Sequence, residues 1–165
     1  MDGIFSSICV PTRVVHCRNA SGKCLEFIEK QIALGRLREL NINGQNWPDS
    51  MKASLKSFLK SPNFVKLDLE RTNLTVDLDM LTCVVQRFLE GDLRKGTRLE
   101  GKPSEEMENL HRQSRLCNSF PLLNGLSKQL QTFRSEYDKI FWCGPGPERL
   151  SIFFSYNYSV LIFQD

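Results

Sequence analysis

The chain has 165 residues, 41% of them hydrophobic and 25% charged, with a formal net charge of +3. That length suits one domain spanning 1–165, and so small and scattered a charge leaves no footprint for nucleic acid. No apolar run approaches the ~20 residues of a membrane span. The N-terminus, MDGIFSSICVPTRVV, has no basic stretch before its interrupted apolar patch, so no signal peptide is expected. The six cysteines (9, 17, 24, 83, 117 and 143) lie mostly in apolar runs. Without secretion they read as reduced, largely buried thiols of an intracellular, cytoplasmic protein. On the same ground the sequons at Asn19, Asn73 and Asn157 are chance matches.

Residues 12–17, TRVVHC, are β-branched, follow a proline and predict a short strand. After a polar loop, Leu25, Ile28 and Ile32 give a helical stripe over 23–34, and Gly35 stands where a helix-ending glycine belongs. LRELNI at 37–42 predicts a strand and 43–46 a turn. Pro48, Asp49 and Ser50 announce a helix with Met51, Leu55, Phe58 and Leu59 on one face. FVKLDL at 64–69 repeats the strand. Asp77 is a candidate N-cap for a helix striped by Leu81, Val84, Val85, Phe88 and Leu89 and ended by Gly91.

A weaker third unit follows. Residues 97–100 suggest a strand, and Ser104 a cap before Glu105 and Glu106, whose charges favour a helix N-terminus. Leu122, Leu126, Leu130, Phe133 and Tyr137 predict a helical connection within 118–138. Residues 140–143, 149–155 and 158–163 alternate as strands around Gly144-Pro145-Gly146-Pro147 and Tyr156-Asn157, an antiparallel meander over 139–165.

LRELNI and FVKLDL lie 27 residues apart, each followed by a break and a helix. A strand, turn and helix repeated at that period is the signature of stacked units, none of which can bury its own apolar face. The expected fold is therefore α/β: a short leucine-rich-repeat-like βα solenoid over 12–117, closed by the C-terminal β-meander. Leu37, Leu40, Ile42, Phe64, Leu67 and Leu69 should face the core. Arg38, Glu39 and Asn41 should then be exposed beside Lys66, Asp68 and Glu70, forming a mixed-charge surface for a protein partner.

Catalytic and metal chemistry find little support. His16-Cys17 with Cys24 has zinc-binding residue types but not a standard finger's spacing or a fourth ligand, so no metal or cofactor is expected. Cys17, Cys117 or Cys143 could pair with His16 or His111 as a nucleophile only through folding, which keeps a small cysteine-dependent hydrolase as the alternative. Asp77 with Asp79 and Glu105 with Glu106 are explained by helix starts. No phosphate-binding, dinucleotide, zincin or nucleophile-elbow motif occurs.

FIEKQIALGRLRELNINGQNWP, FLKSPNFVKLDLERTNL, RFLEGDL and the terminal ERLSIFFSYNYSVLIF together resemble the C-terminal portion of a nematode-expanded class of F-box proteins. The resemblance covers most of the chain from Phe27. It implies a leucine-rich-like, F-box-associated region that recruits substrates to a cullin-type ubiquitin ligase. Residues 1–26 hold no recognisable F-box, so what carries over is the recognition module. The expected function is non-catalytic protein binding, with ubiquitin-ligase components among the possible partners.

Overall fold

The computed structural model describes residues 11–18, 20–116, 133–136, 139–144, 146–155 and 159–165. The strands are β1 (Val14–Cys17), β2 (Glu39–Ile42), β3 (Lys66–Asp68), β4 (Thr75–Val76), β5 (Arg98–Pro103), β6 (Phe133–Glu136), β7 (Lys139–Cys143), β8 (Arg149–Ser155) and β9 (Ser159–Gln164). Among the described residues four helices accompany them: α1 (Gly22–Ala33), α2 (Met51–Leu59), α3 (Leu78–Leu89) and α4 (Glu105–Leu116). The strands form one open mixed sheet in the order β1-β2-β3-β5-β9-β8-β7-β6, and the two-residue β4 also pairs β5. The first four strands in that order run parallel, and β5 is antiparallel to β9. From β6 to β9 every pairing is antiparallel.

The 27-residue repeat is realised as register. Glu39 lies beside Lys66, Leu40 beside Leu67 and Asn41 beside Asp68. The same ladder continues outward through Val14↔Glu39 and Lys66↔Arg98. All six residues expected in the core are at most 1% exposed. Burying each such side chain contributes roughly 1.5–3 kcal/mol before entropy is counted. The turns stack as well: Gly44 N–H donates to Arg71 O at 3.0 Å. Asn73 clamps the backbone of Trp47 from both sides, accepting its N–H at 3.0 Å and donating to its carbonyl at 2.9 Å. The sequon at Asn73 thus has a structural explanation.

The helices cover one face of the sheet, α1 against α2 and α2 against α3. Their local signals are those of the sequence. Ser21 Oγ accepts from Cys24 N–H, and Asp77 Oδ1 from Met80 N–H. Ser104 Oγ accepts from Met107 N–H. Gly35 and Gly91 end α1 and α3 at positive φ, 68° and 74°. Ser50, by contrast, makes no side-chain cap bond. Gln31, on the stripe of α1, is fully buried because its Oε1 accepts from both Thr12 N–H and Thr12 Oγ1. At the far end His111 of α4 stacks on Phe154 of β8 at 4.4 Å.

Two expectations change. Phe133–Glu136 is a strand rather than the end of a helix, paired with β7 through Phe133↔Trp142. A leucine stripe at helical spacing leads into that segment, and tertiary pairing overrides it. The remainder of the expected helix, including Leu122, Leu126, Leu130 and Tyr137, lies outside the described residues, as do Cys9, Cys117 and Tyr156-Asn157-Tyr158. Cys17 at the end of β1 and Cys24 in α1 are joined as a disulfide, where composition argued for reduced thiols. Among the described residues no helix is long and apolar enough to cross a membrane.

Candidate functional site

Strand alternation sends Leu40, Ile42, Leu67 and Leu99 toward the helices, so their neighbours must point the other way. The second face is exposed or half-buried from β1 to β9, while Ser151 and Phe141 farther along it are buried. It presents two rows across the sheet. One runs Val14, Glu39, Lys66, Arg98, Phe163, Ser151 and Phe141, and the other His16, Asn41, Asp68, Glu100, Leu161, Phe153 and Lys139. The parallel half is charged and polar; the antiparallel half is aromatic and aliphatic.

On the charged half the predicted residues meet. Asn41 Nδ2 donates to Asp68 Oδ2 at 2.9 Å. Lys66 Nζ lies 3.5 Å from Glu100 and 4.0 Å from Asp68. Arg98 holds the Glu100 carboxylate with two nitrogens, at 2.9 and 2.6 Å. Such half-exposed pairs contribute only about 0–1 kcal/mol each. Their effect is to fix a pattern of side chains.

Glu70, one step past β3, is exposed and makes no side-chain ion pair among the described residues. Its backbone N–H donates to Asp68 Oδ1. With Arg98, Glu100, Phe153, Leu161 and Phe163 it lines an open groove of about 540 Å³ where the two halves meet. Phe153 and Phe163 stack at 5.4 Å, and Lys139 Nζ sits 4.7 Å over the Phe153 ring. The groove therefore offers an apolar wall beside an exposed carboxylate.

Five of the six predicted residues border this face: Glu39, Asn41, Lys66, Asp68 and Glu70. Arg38 does not belong with them. It precedes β2, and its side chain lines a separate pocket with Arg13, Arg36 and Arg94. Sequence reasoning missed Arg98, Glu100, Phe153, Leu161 and Phe163. The alternation of β8 and β9 was visible, but nothing local announces that β9 docks beside β5.

Of the candidate nucleophiles, Cys117 lies outside the described residues. Cys17 and Cys24 are bonded to each other, and burial pushes the Cys83 thiol up, away from the thiolate a nucleophile needs. Cys143 is a free thiol whose neighbour Gly144 packs against the Phe88 ring. His16 lies on the open face, and His111 lies on the other side of the sheet, against Phe154. No family model matches this chain, and no curated protein or solved structure matches it either.

Proposed function

We propose that this chain is a non-catalytic protein-recognition module whose docking surface is the part of the second sheet face that runs from β2 to the Phe153–Leu161–Phe163 groove. The observation that carries the reading is the groove at the junction of the two halves, where the Phe153–Leu161–Phe163 wall adjoins the exposed carboxylate of Glu70. An aromatic wall beside charge, presented on a rigid scaffold, has the composition of an interface core and its rim. The matching partner is a polypeptide that places an apolar side chain in the groove next to a lysine or arginine facing Glu70.

The finer reading of the fold belongs to this proposal. The in-register stack of β1, β2, β3 and β5, each followed by a helix, supports a short leucine-rich-repeat-like solenoid closed by an antiparallel meander. The resemblance to F-box-associated regions supports substrate selection for an intracellular ubiquitin ligase as the setting.

The test is capture of binding proteins by the immobilised protein in an extract of its own cells. Glu70→Lys combined with Leu161→Gln is expected to weaken the interaction at least tenfold without changing the unfolding midpoint by more than ~1 kcal/mol equivalent. Glu26→Lys, on the exposed surface of α1, should leave it intact. Partners held equally by both variants would overturn the reading. Cullin-ligase subunits among the captured proteins would carry the ligase setting, and their absence would confine the reading to recognition alone.

A further inference from the structure

At the opposite margin of the charged half, where the parallel strands begin, four arginines converge. Arg13 precedes β1, Arg36 and Arg38 precede β2, and Arg94 lies in the loop before β5. With Pro11 and Asn63 they line a pocket of about 410 Å³ that has no carboxylate in its lining. The backbone fixes two of them side by side, because Arg38 N–H donates to Arg13 O at 2.8 Å. Arg94 is placed by Nε on Pro62 O and Nη2 on Asn63 Oδ1, both at 3.0 Å. Asn63 Nδ2 in turn donates to Gly35 O at 2.7 Å, tying the loops that follow α1, α2 and α3 together.

Arginines near helix C-termini ordinarily serve the exposed carbonyls there. That task is already taken at the end of α2: the buried Arg87 donates to Leu59 O and Ser61 O. Arg38 behaves differently. Its Nε is shielded from solvent and has no hydrogen-bond partner. Among the described residues no acidic side chain pairs with Arg13, Arg36, Arg38 or Arg94. Like charges gathered without a counter-ion repel one another, and a buried donor left unmade costs about 1–3 kcal/mol. Both costs are relieved by one ligand, an oxyanion with several acceptor oxygens. Guanidinium groups match phosphate geometry through paired N–H donors.

We infer that the pocket formed by Arg13, Arg36, Arg38 and Arg94 is a binding site for a phosphate monoester dianion. It is separate from the groove on the sheet face and does not depend on that groove's role. A free phosphate compound and a phosphorylated side chain of another polypeptide present the same group.

The experiment is an amide NMR titration of the full chain with inorganic phosphate, phosphoserine, a phosphoserine-containing peptide and acetate. Phosphate and phosphoserine should shift the resonances of Thr12–Val14, Arg36–Glu39, Asn63 and Arg94 in a saturable manner. Arg36→Gln with Arg38→Gln should weaken that binding at least tenfold while leaving the remaining spectrum native. Tighter binding of the peptide than of free phosphate assigns a polypeptide ligand, the reverse order a small phosphate compound, and either order supports the site. Absence of shifts in these residues, acetate binding as tightly as phosphate, or unchanged affinity in the double variant would each overturn it.

Discussion

Arg87→Ala is expected to destabilise the fold by about 3 kcal/mol, the larger end of what single substitutions do. Arg87 lies on the last turns of α3 and is 6% exposed. Its Nη1 donates to Leu59 O at 2.6 Å and Ser61 O at 2.9 Å, closing the C-terminal end of α2. Nε and Nη2 meet the Asp92 carboxylate and carbonyl at 3.1 and 2.9 Å, fixing the turn beyond α3. The Asp92 side chain is largely exposed, so the ion pair itself matters little once solvent screening is allowed for. The cost comes from leaving the α2 carbonyls without a donor in a site that water cannot reach freely, and from the void left by the removed side chain. Lysine retains the charge but lacks the planar fork, so Arg87→Lys should recover less than half of the loss. Urea unfolding provides the measurement. A midpoint lowered by more than about 1 M for the alanine variant agrees with this role. A shift close to zero would mean that the bonds of Arg87 are replaceable by water.

Gly101→Ala should be the next most damaging change, at about 2–3 kcal/mol, although replacing glycine in a strand ordinarily helps. Gly101 sits in β5 opposite Val160 of β9 and faces the helix side of the sheet. A Cβ there would lie 2.9 Å from Leu69 Cβ and 3.1 Å from Val76 Cγ2. Its φ lies outside the left-handed region, so the obstacle is space and not backbone conformation. Both contacts are fully buried side chains, Leu69 just past β3 and Val76 in β4, that have nowhere to retreat. Gly22→Ala is the internal comparison. It opens α1 with nothing within 4 Å of a new Cβ, and the change should stabilise by a few tenths to about 1 kcal/mol. Equal effects of the two substitutions on thermal unfolding would contradict this packing.

Much of the parallel half was legible because its signals are local. Leu37, Leu40, Ile42 and their counterparts 27 residues on carry a strand alternation that only one face can satisfy. Ser21, Asp77, Gly35 and Gly91 mark their helix ends by side-chain chemistry and backbone freedom. The flanking strands were harder, since β1, β2, β3 and β5 stack regularly in space while their spacing in sequence varies from 25 to 27 to 32 residues.

What stayed hidden is what distant segments make together. The pairing of β9 with β5 joins residues about sixty apart, such as Arg98 and Phe163, and no turn or periodicity encodes it. That pairing brings the aromatic wall to Glu70 and Glu100, so the groove was invisible although each of its residues was in view. Arg38 illustrates the same limit. Its neighbours in sequence placed it on the sheet face, whereas its position one residue before β2 sends it to the strand-start pocket. There it meets arginines from three other positions in the chain. The Phe133–Glu136 strand was misread because an apolar stripe serves a helix and a strand alike until a partner decides.

Docking on the sheet face that carries Lys66, Glu70 and Phe163 can be read from the backbone. Amide hydrogen exchange, compared between the free protein and its complex with the captured partner, tests it most directly. Slowed exchange is expected at residues 66–70, 98–101 and 159–163, with α1, α2 and α3 unchanged. Protection confined to the helical layer, with exchange at those strands unaltered, would contradict it.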